Sequence, residues 1–302
     1  MKNYFLMMLV ALTILCSCKG ANNATRQQAD CGVLEYFEDF ASEFVPARDV
    51  LVWLPEEYDP QMKYAVLYMH DGQMLFDETT SWNKQTWNVD AVASAVQRDG
   101  RCRPFIVVGI DNHPTNRLTE YMPARALEYL PQDDEVLRQF DRAEFIADGY
   151  LRFLVEELKP FIDSRYSTLT DRENTFVMGS SMGGLISIYG VTEYPEGFGA
   201  AVCMSTHWTG AIGDNADFPT AMKQYLLDNF PRNGDYLLYF DNGDCDYDSQ
   251  YLPAYNEMNT LFDFLGYREG EKLKTGVFQG HSHSEKSWSE RVNIPLQFIL
   301  KK

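Results

Sequence analysis

Residues 174–178 read Asn-Thr-Phe-Val-Met, and the apolar stretch Leu185-Ile186-Ser187-Ile188-Tyr189 begins only seven positions after them. Between the two lies Gly179-Ser180-Ser181-Met182-Gly183-Gly184. A β-forming run that passes into a helical one through so short a glycine-rich link must make a tight strand-to-helix turn. Such a turn strains the central serine and leaves no room for side chains on its neighbours. It exposes the Ser181 hydroxyl and sets the Met182 amide at a helix N-terminus, where negative charge growing on an oxygen is stabilised. The same G-x-S-x-G spacing also serves simply to pack a helix on a sheet. Chemistry at Ser181 therefore needs partners elsewhere in the chain.

The alternation around Ser181 recurs along the chain. Short apolar runs rich in β-formers fall at 50–54, 64–69, 105–110, 175–178, 200–204, 236–240 and 275–278. Segments with helical spacing lie at 87–96, 143–162, 183–191, 253–265 and 285–300. Strands alternating with helices predict an α/β fold, with a mostly parallel central sheet and helices on both faces. No internal repeat and no Pro/Gly/Ser-rich linker interrupts residues 31–302, so they are expected to form a single domain. In parallel sheets, sites gather at the C-terminal ends of strands.

A serine nucleophile needs a base, and the chain has five histidines: His70, His113, His207, His281 and His283. In this architecture the order is nucleophile, acid, base, with the base on a loop after the last strand. Gly280-His281-Ser282-His283-Ser284-Glu285 occupies that position, which makes His281 or His283 the candidate. Alternate histidines on an extended segment can also share a metal ion, but no further His or Cys pair supplies the remaining ligands. No metal and no cofactor is expected. The acid should follow run 236–240, where Asp241, Asp244, Asp246 and Asp248 crowd the expected loop 241–248. Asp244-x-Asp246-x-Asp248 opens like a calcium loop, yet Ser249 stands where that loop needs Gly and Tyr255 where it needs Glu. The calcium reading fails. His70 and Asp71 lie beside the expected site, and His70 reads equally as a strand-end residue bonded to backbone.

With these residues in place, about residues 45–300 resemble the esterase branch of the α/β-hydrolase superfamily. That branch contains S-formylglutathione hydrolases (esterase D), enterochelin esterases, and feruloyl and acetyl-xylan esterases. Tyr68-Met69-His70-Asp71-Gly72-Gln73-Met74-Leu75-Phe76-Asp77 is similar to its oxyanion loop, with Met74 where Asn is usual. Trp87-Asn88-Val89-Asp90, Val107-Val108-Gly109-Ile110 and Arg117…Glu120-Tyr121-Met122-Pro123 resemble its following blocks. Residues 179–188 resemble its nucleophile elbow, and His283, Glu285, Trp288 and Arg291 its H-x-E-x-x-W-x-x-R ending. The resemblance implies an α/β-hydrolase fold and hydrolysis of a small-molecule or glycan ester by Ser181, His283 and an aspartate. The Met182 and Gln73 amides (or Gly72) would hold the oxyanion. It selects His283 over His281. For the acid, S-formylglutathione hydrolases point to Asp246, whereas a nearer subgroup with a later Asp followed by Tyr and Pro points to Asp248, with Tyr251 and Pro253. Asp248 is preferred. Two other readings stay open: acyl transfer to a sugar, and a binding protein that kept the fold without turnover.

The N-terminus carries a different message. Met1-Lys2-Asn3 and a dozen apolar residues precede Leu15-Cys16-Ser17-Cys18, which has the make-up of a secretory signal and resembles the bacterial lipobox. Residues 1–17 are expected to be the lipoprotein signal, Cys18 the lipidated residue, and 18–30 a flexible tether. Cys16 fits less well, following the bulky Leu15. The expected location is the bacterial cell envelope, exported and held by a lipid anchor at the outer membrane or periplasm. Of the remaining cysteines, Cys31, Cys102, Cys203 and Cys245, the spacing fits neither a small disulfide scaffold nor a C-x-x-C metal site, and Cys203 is expected to be a buried thiol. The formal charge of −18 argues against nucleic acid as a partner.

Overall fold

The computed structural model describes residues 24–210, 217–232 and 234–302. The expected signal 1–17 and Cys18 lie outside the described residues. Among them, β1 (Thr25–Gln28), β2 (Val33–Phe40), β3 (Arg48–Leu54), β4 (Ala65–His70), β5 (Phe105–Ile110), β6 (Thr175–Ser180), β7 (Ala200–Met204), β8 (Leu237–Gly243) and β9 (Leu273–Phe278) form one sheet. Its order is β1-β2-β3-β5-β4-β6-β7-β8-β9. From β5 to β9 every neighbouring pair is parallel, while β1, β2 and β3 join antiparallel at one side. This is the α/β-hydrolase arrangement expected.

The sheet is covered on both faces, and β4 shows why its sequence is uninterruptedly apolar. Ala65, Leu67 and Met69 pack in one cluster with Val89, Ala93, Leu296 and Ile299. Val66 and Tyr68 point the other way, into a cluster with Leu151, Leu154, Leu185 and Ile188. Alternate residues thus serve opposite layers, as a period of two demands. The helices are α1 (Val89–Arg98), α2 (Arg117–Tyr121), α3 (Glu135–Gln139), α4 (Ala147–Arg152), α5 (Lys159–Arg165), α6 (Met182–Glu193), α7 (Asp217–Asn229), α8 (Asp246–Phe264), α9 (Glu285–Ser289) and α10 (Asn293–Ile299).

Several expectations change. Thr25–Gln28, placed in the tether by sequence, pairs with β2 as an edge strand. The edge of β2 offers unpaired N–H and C=O groups, and any extended polar segment can use them. β2 itself escaped notice because its pairing slips between Phe37 and Phe40, where Asp39 takes φ 47, so its apolar residues do not alternate cleanly. The segment expected as one helix at 143–162 starts at Ala147 and passes through a π-turn (Phe153–Leu158) into α5.

The expected loop 241–248 is hardly a loop at all. β8 runs on through Gly243, and α8 begins at Asp246, with Pro253 inside the helix rather than at its start. Pro favours the first turn, and that preference displaced the expected start to residue 253.

Candidate active site

Ser181 sits between β6 and α6 with φ 57 and ψ −122, a conformation that non-glycine residues rarely adopt. Backbone hydrogen bonds hold it there. Its N–H donates to the Met204 carbonyl of β7 (2.9 Å), and its own carbonyl accepts from Gly184 (3.0 Å) and His207 (3.1 Å). The glycines do not share one role. A Cβ on Gly179 would stand 2.7–2.8 Å from the Gly183 backbone, so β6 and α6 touch main chain to main chain. A Cβ on Gly183 would make only ordinary contacts at 3.5 Å, whereas one on Gly184 would meet Thr206 Oγ1 at 2.5 Å. Met182 is the first residue of α6, so its amide is among those a helix leaves without an internal acceptor.

His283 precedes α9, and its Nδ1 lies 2.6 Å from Asp248 Oδ1 in the first turn of α8. Asp248 is fully buried, and its other oxygen accepts from the Ser205 hydroxyl (2.6 Å) and the Gly243 amide (2.8 Å). Burial alone would raise this carboxyl, but the bonds from His283, Ser205 and Gly243 outweigh it and hold the group below the usual carboxylate range. Asp246 is exposed, and with φ 51 it opens the helix rather than facing His283. Asp244 accepts from the Gly280 amide. Asp241 is buried and takes a two-pronged bond from Arg291 (3.0 and 3.1 Å). His281 turns away, towards the Ser287 carbonyl and Arg291. Of the four carboxylates, Asp248 is therefore the one that contacts the His283 imidazole.

A supporting cluster behind that pair was not visible in sequence. Ser205, at φ 40 directly after β7, uses one hydroxyl three ways. It donates to Asp248 and accepts from Trp288 Nε1 (3.0 Å) and Arg291 Nη2 (2.8 Å). Trp288 also lays its ring edge-to-face on His283 at 5.0 Å, and Tyr251 does so at 5.5 Å. The signal for Ser205 was its place at the C-terminal end of a strand in a parallel sheet.

At the end of β4, Asp71 takes φ 59 and Gly72–Met74 forms a 3₁₀ turn. Asp71 is clamped by Arg117 at 2.7 Å through two nitrogens and by Asn112 at 2.6 Å. Gln73 accepts from the Asn112 amide through its side chain and from Thr80 through its carbonyl. His70 is buried and bonded to the Tyr150 hydroxyl (2.7 Å), not to backbone. Burial lowers its pKa to about 4, so it is neutral at physiological pH. Ser181, His283 and Gln73 all line a single cavity of ≈ 610 Å³, walled by Trp82, Trp87, Trp288, Arg117 and Glu285. Cys31, Cys102, Cys203 and Cys245 are free thiols, Cys203 fully buried in β7.

The chain is similar to known proteins. A Bacillus subtilis protein, YbbA, described as uncharacterized, is 25% identical over 163 residues, 53% of this chain and 58% of its own length. The chain thus spans less than two thirds of that curated relative. Among solved structures, a ferulic acid esterase superimposes with TM-score 0.65 at 18% identity, covering 88% of this chain and 97% of that one. The enterobactin esterase of Shigella flexneri gives TM-score 0.66 at 15% identity, over 91% of this chain and 60% of its own. At such identities the structures speak for the fold. The family model named Esterase, described as "Putative esterase", matches residues 44–292, and the chain belongs to that family.

Proposed function

We propose that the protein is a serine carboxylic-ester hydrolase using Ser181, His283 and Asp248. The observation that carries this reading is that the strained Ser181 turn and His283, backed by Asp248, line the same cavity. With Nδ1–H directed at Asp248, the imidazole keeps Nε2 as a proton acceptor. Ser181 Oγ attacks the ester carbonyl carbon as His283 takes its proton, and the oxyanion lies between the Met182 and Gln73 amides. His283 then protonates the departing alcohol. Water, deprotonated by the same imidazole, hydrolyses the acyl-enzyme and restores Ser181.

Cavity chemistry favours neutral esters with a flat or ring-shaped component, such as an aromatic acyl group or a glycan. Three indoles, Trp82, Trp87 and Trp288, supply apolar faces. Among the lining residues the permanent cation is Arg117, already paired with Asp71, while Glu285 adds negative charge. A polyanionic siderophore ester would meet no net positive field there. The direct test is p-nitrophenyl esters and feruloylated sugars against the unaltered protein and Ser181→Ala, with mass detection of a fluorophosphonate adduct on Ser181. Turnover should vanish in Ser181→Ala together with the adduct. Retained turnover would overturn the reading. We also propose that Cys18 is acylated, on the strength of the lipobox-like Leu15-Cys16-Ser17-Cys18.

A further inference from the structure

Asp111 directly follows β5 and lines the cavity. The backbone of Gly72 lies on its carboxyl, since a Cβ there would stand 2.6 Å from Asp111 Oδ1. That oxygen is sealed from solvent and has no hydrogen-bond partner among the described residues. The charged and titratable groups around it are engaged elsewhere. On β3, Arg48 grips the buried Glu120 through two nitrogens, and Asp49 accepts from the Tyr36 hydroxyl of β2 and the Asp39 amide. In the turn after β4, Asp71 is taken by Arg117 of α2 and by Asn112. A half-buried carboxylate with one oxygen sealed and without a donor, and two acids nearby, is costly to ionise. Burial first, then Asp49 and Asp71, against Arg48, push the Asp111 carboxyl up to about 8.

We infer that Asp111 is a positioning residue for the proposed hydrolysis: its uncharged acid form seats the Gly72–Gln73 turn that receives the oxyanion, and its ionisation disables that turn. The inference rests on the esterase reading. When the Asp111 proton leaves to solvent, a full negative charge appears beneath the turn whose Gln73 amide faces the tetrahedral intermediate. Two like charges then oppose each other across one loop, and the transition state loses stabilisation.

The experiment is the pH profile of kcat/KM on a p-nitrophenyl ester for the unaltered protein, Asp111→Asn and Ser181→Ala, with a thermal melt at each pH. In the unaltered protein kcat/KM should fall at least about tenfold on the alkaline side, with a midpoint near the Asp111 value of about 8. Asp111→Asn, isosteric and uncharged, should lose that alkaline fall, whatever its absolute kcat/KM. The melts read the same proton independently. An acid whose pKa is raised in the folded state contributes stability that is lost as pH rises from its unfolded value to its folded one. The Tm advantage of Asp111→Asn should therefore grow from about pH 4 to about pH 8 and stay constant above. An unchanged alkaline limb in Asp111→Asn, or a Tm difference independent of pH, overturns the inference. If the variant does not fold, the Asp111 carboxyl carbon shift in the unaltered protein decides, and titration near the ordinary aspartate value overturns it. Turnover retained by Ser181→Ala would remove the esterase reading and this inference with it. An inactive Ser181→Ala beside an unaltered alkaline limb removes this inference alone.

Discussion

The choice between Asp248 and Asp246 is a difference of two positions at the start of one helix. On the proposed mechanism Asp248→Asn leaves His283 without a carboxylate to fix its tautomer. Its kcat should drop by about four orders of magnitude with KM little changed. Asp246→Asn removes an exposed charge and should cost less than about tenfold. Steady-state kinetics on one p-nitrophenyl ester checks both, and the reverse ranking would move the acid to Asp246. Ser205→Ala tests the cluster behind the pair. It deletes a hydrogen bond to a buried carboxylate, an interaction of about 1.5–3 kcal/mol of stability, and takes the acceptor from Trp288 Nε1 and Arg291 Nη2, so Tm should fall together with kcat, the latter by about ten- to a hundredfold. Ser181 and the H-x-E-x-x-W-x-x-R ending were legible because local spacing and a family pattern defined them. Asp248 was legible only as one of two, because four carboxylates in eight residues look alike until burial separates them. Ser205 and Asp111 carried only the signal of following a parallel strand, since the neighbours of each are distant in sequence.

At the scale of elements, the contact between β6 and α6 decides how faithfully the elbow presents its serine. Sequence assigns the motif glycines a common duty, and the packing divides it. Gly179→Ala would drive a Cβ into the Gly183 main chain at 2.7–2.8 Å, which rigid backbone cannot accommodate by a rotamer change. We expect a loss of about 1–3 kcal/mol, as for other overpacked interiors, and a fall in kcat as the elbow shifts. Gly183→Ala meets only ordinary contacts at 3.5 Å and replaces glycine within a helix, so its Tm should be unchanged or higher. Denaturant melts of the two variants separate the roles, and equal destabilisation would refute the division. The alternation of elements was readable because buried parallel strands are apolar on both faces, as β4 is. What failed was the ends of elements. β8 continues through Asp241 because Arg291 neutralises it, and α8 starts at Asp246 in spite of Pro253. Both depend on partners that no local pattern records.

For the molecule as a whole, charge and reach set how it can meet a membrane. A formal charge of −18 is repelled by anionic lipid, and among the described residues no helix is long and apolar enough to span a bilayer. The proposed acylation of Cys18 would need more than one chain for stable attachment, because a single one binds only marginally. Loss of residues 1–17 removes Lys2 and takes the formal charge to −19, so electrostatics does not help. The leash is also shorter than sequence suggested. β1 begins at Thr25, and the residues from Cys18 to Thr25 span at most about 25 Å even fully extended. Cys18→Ala should move the protein from the membrane fraction to the soluble one or leave the signal uncleaved, while Cys16→Ala should do neither. High salt should fail to strip the unaltered protein, as expected of an acyl anchor and not of a charge-held one. An unmodified mature N-terminus downstream of Cys18, found by mass spectrometry, would refute the anchor without touching the chemistry at Ser181.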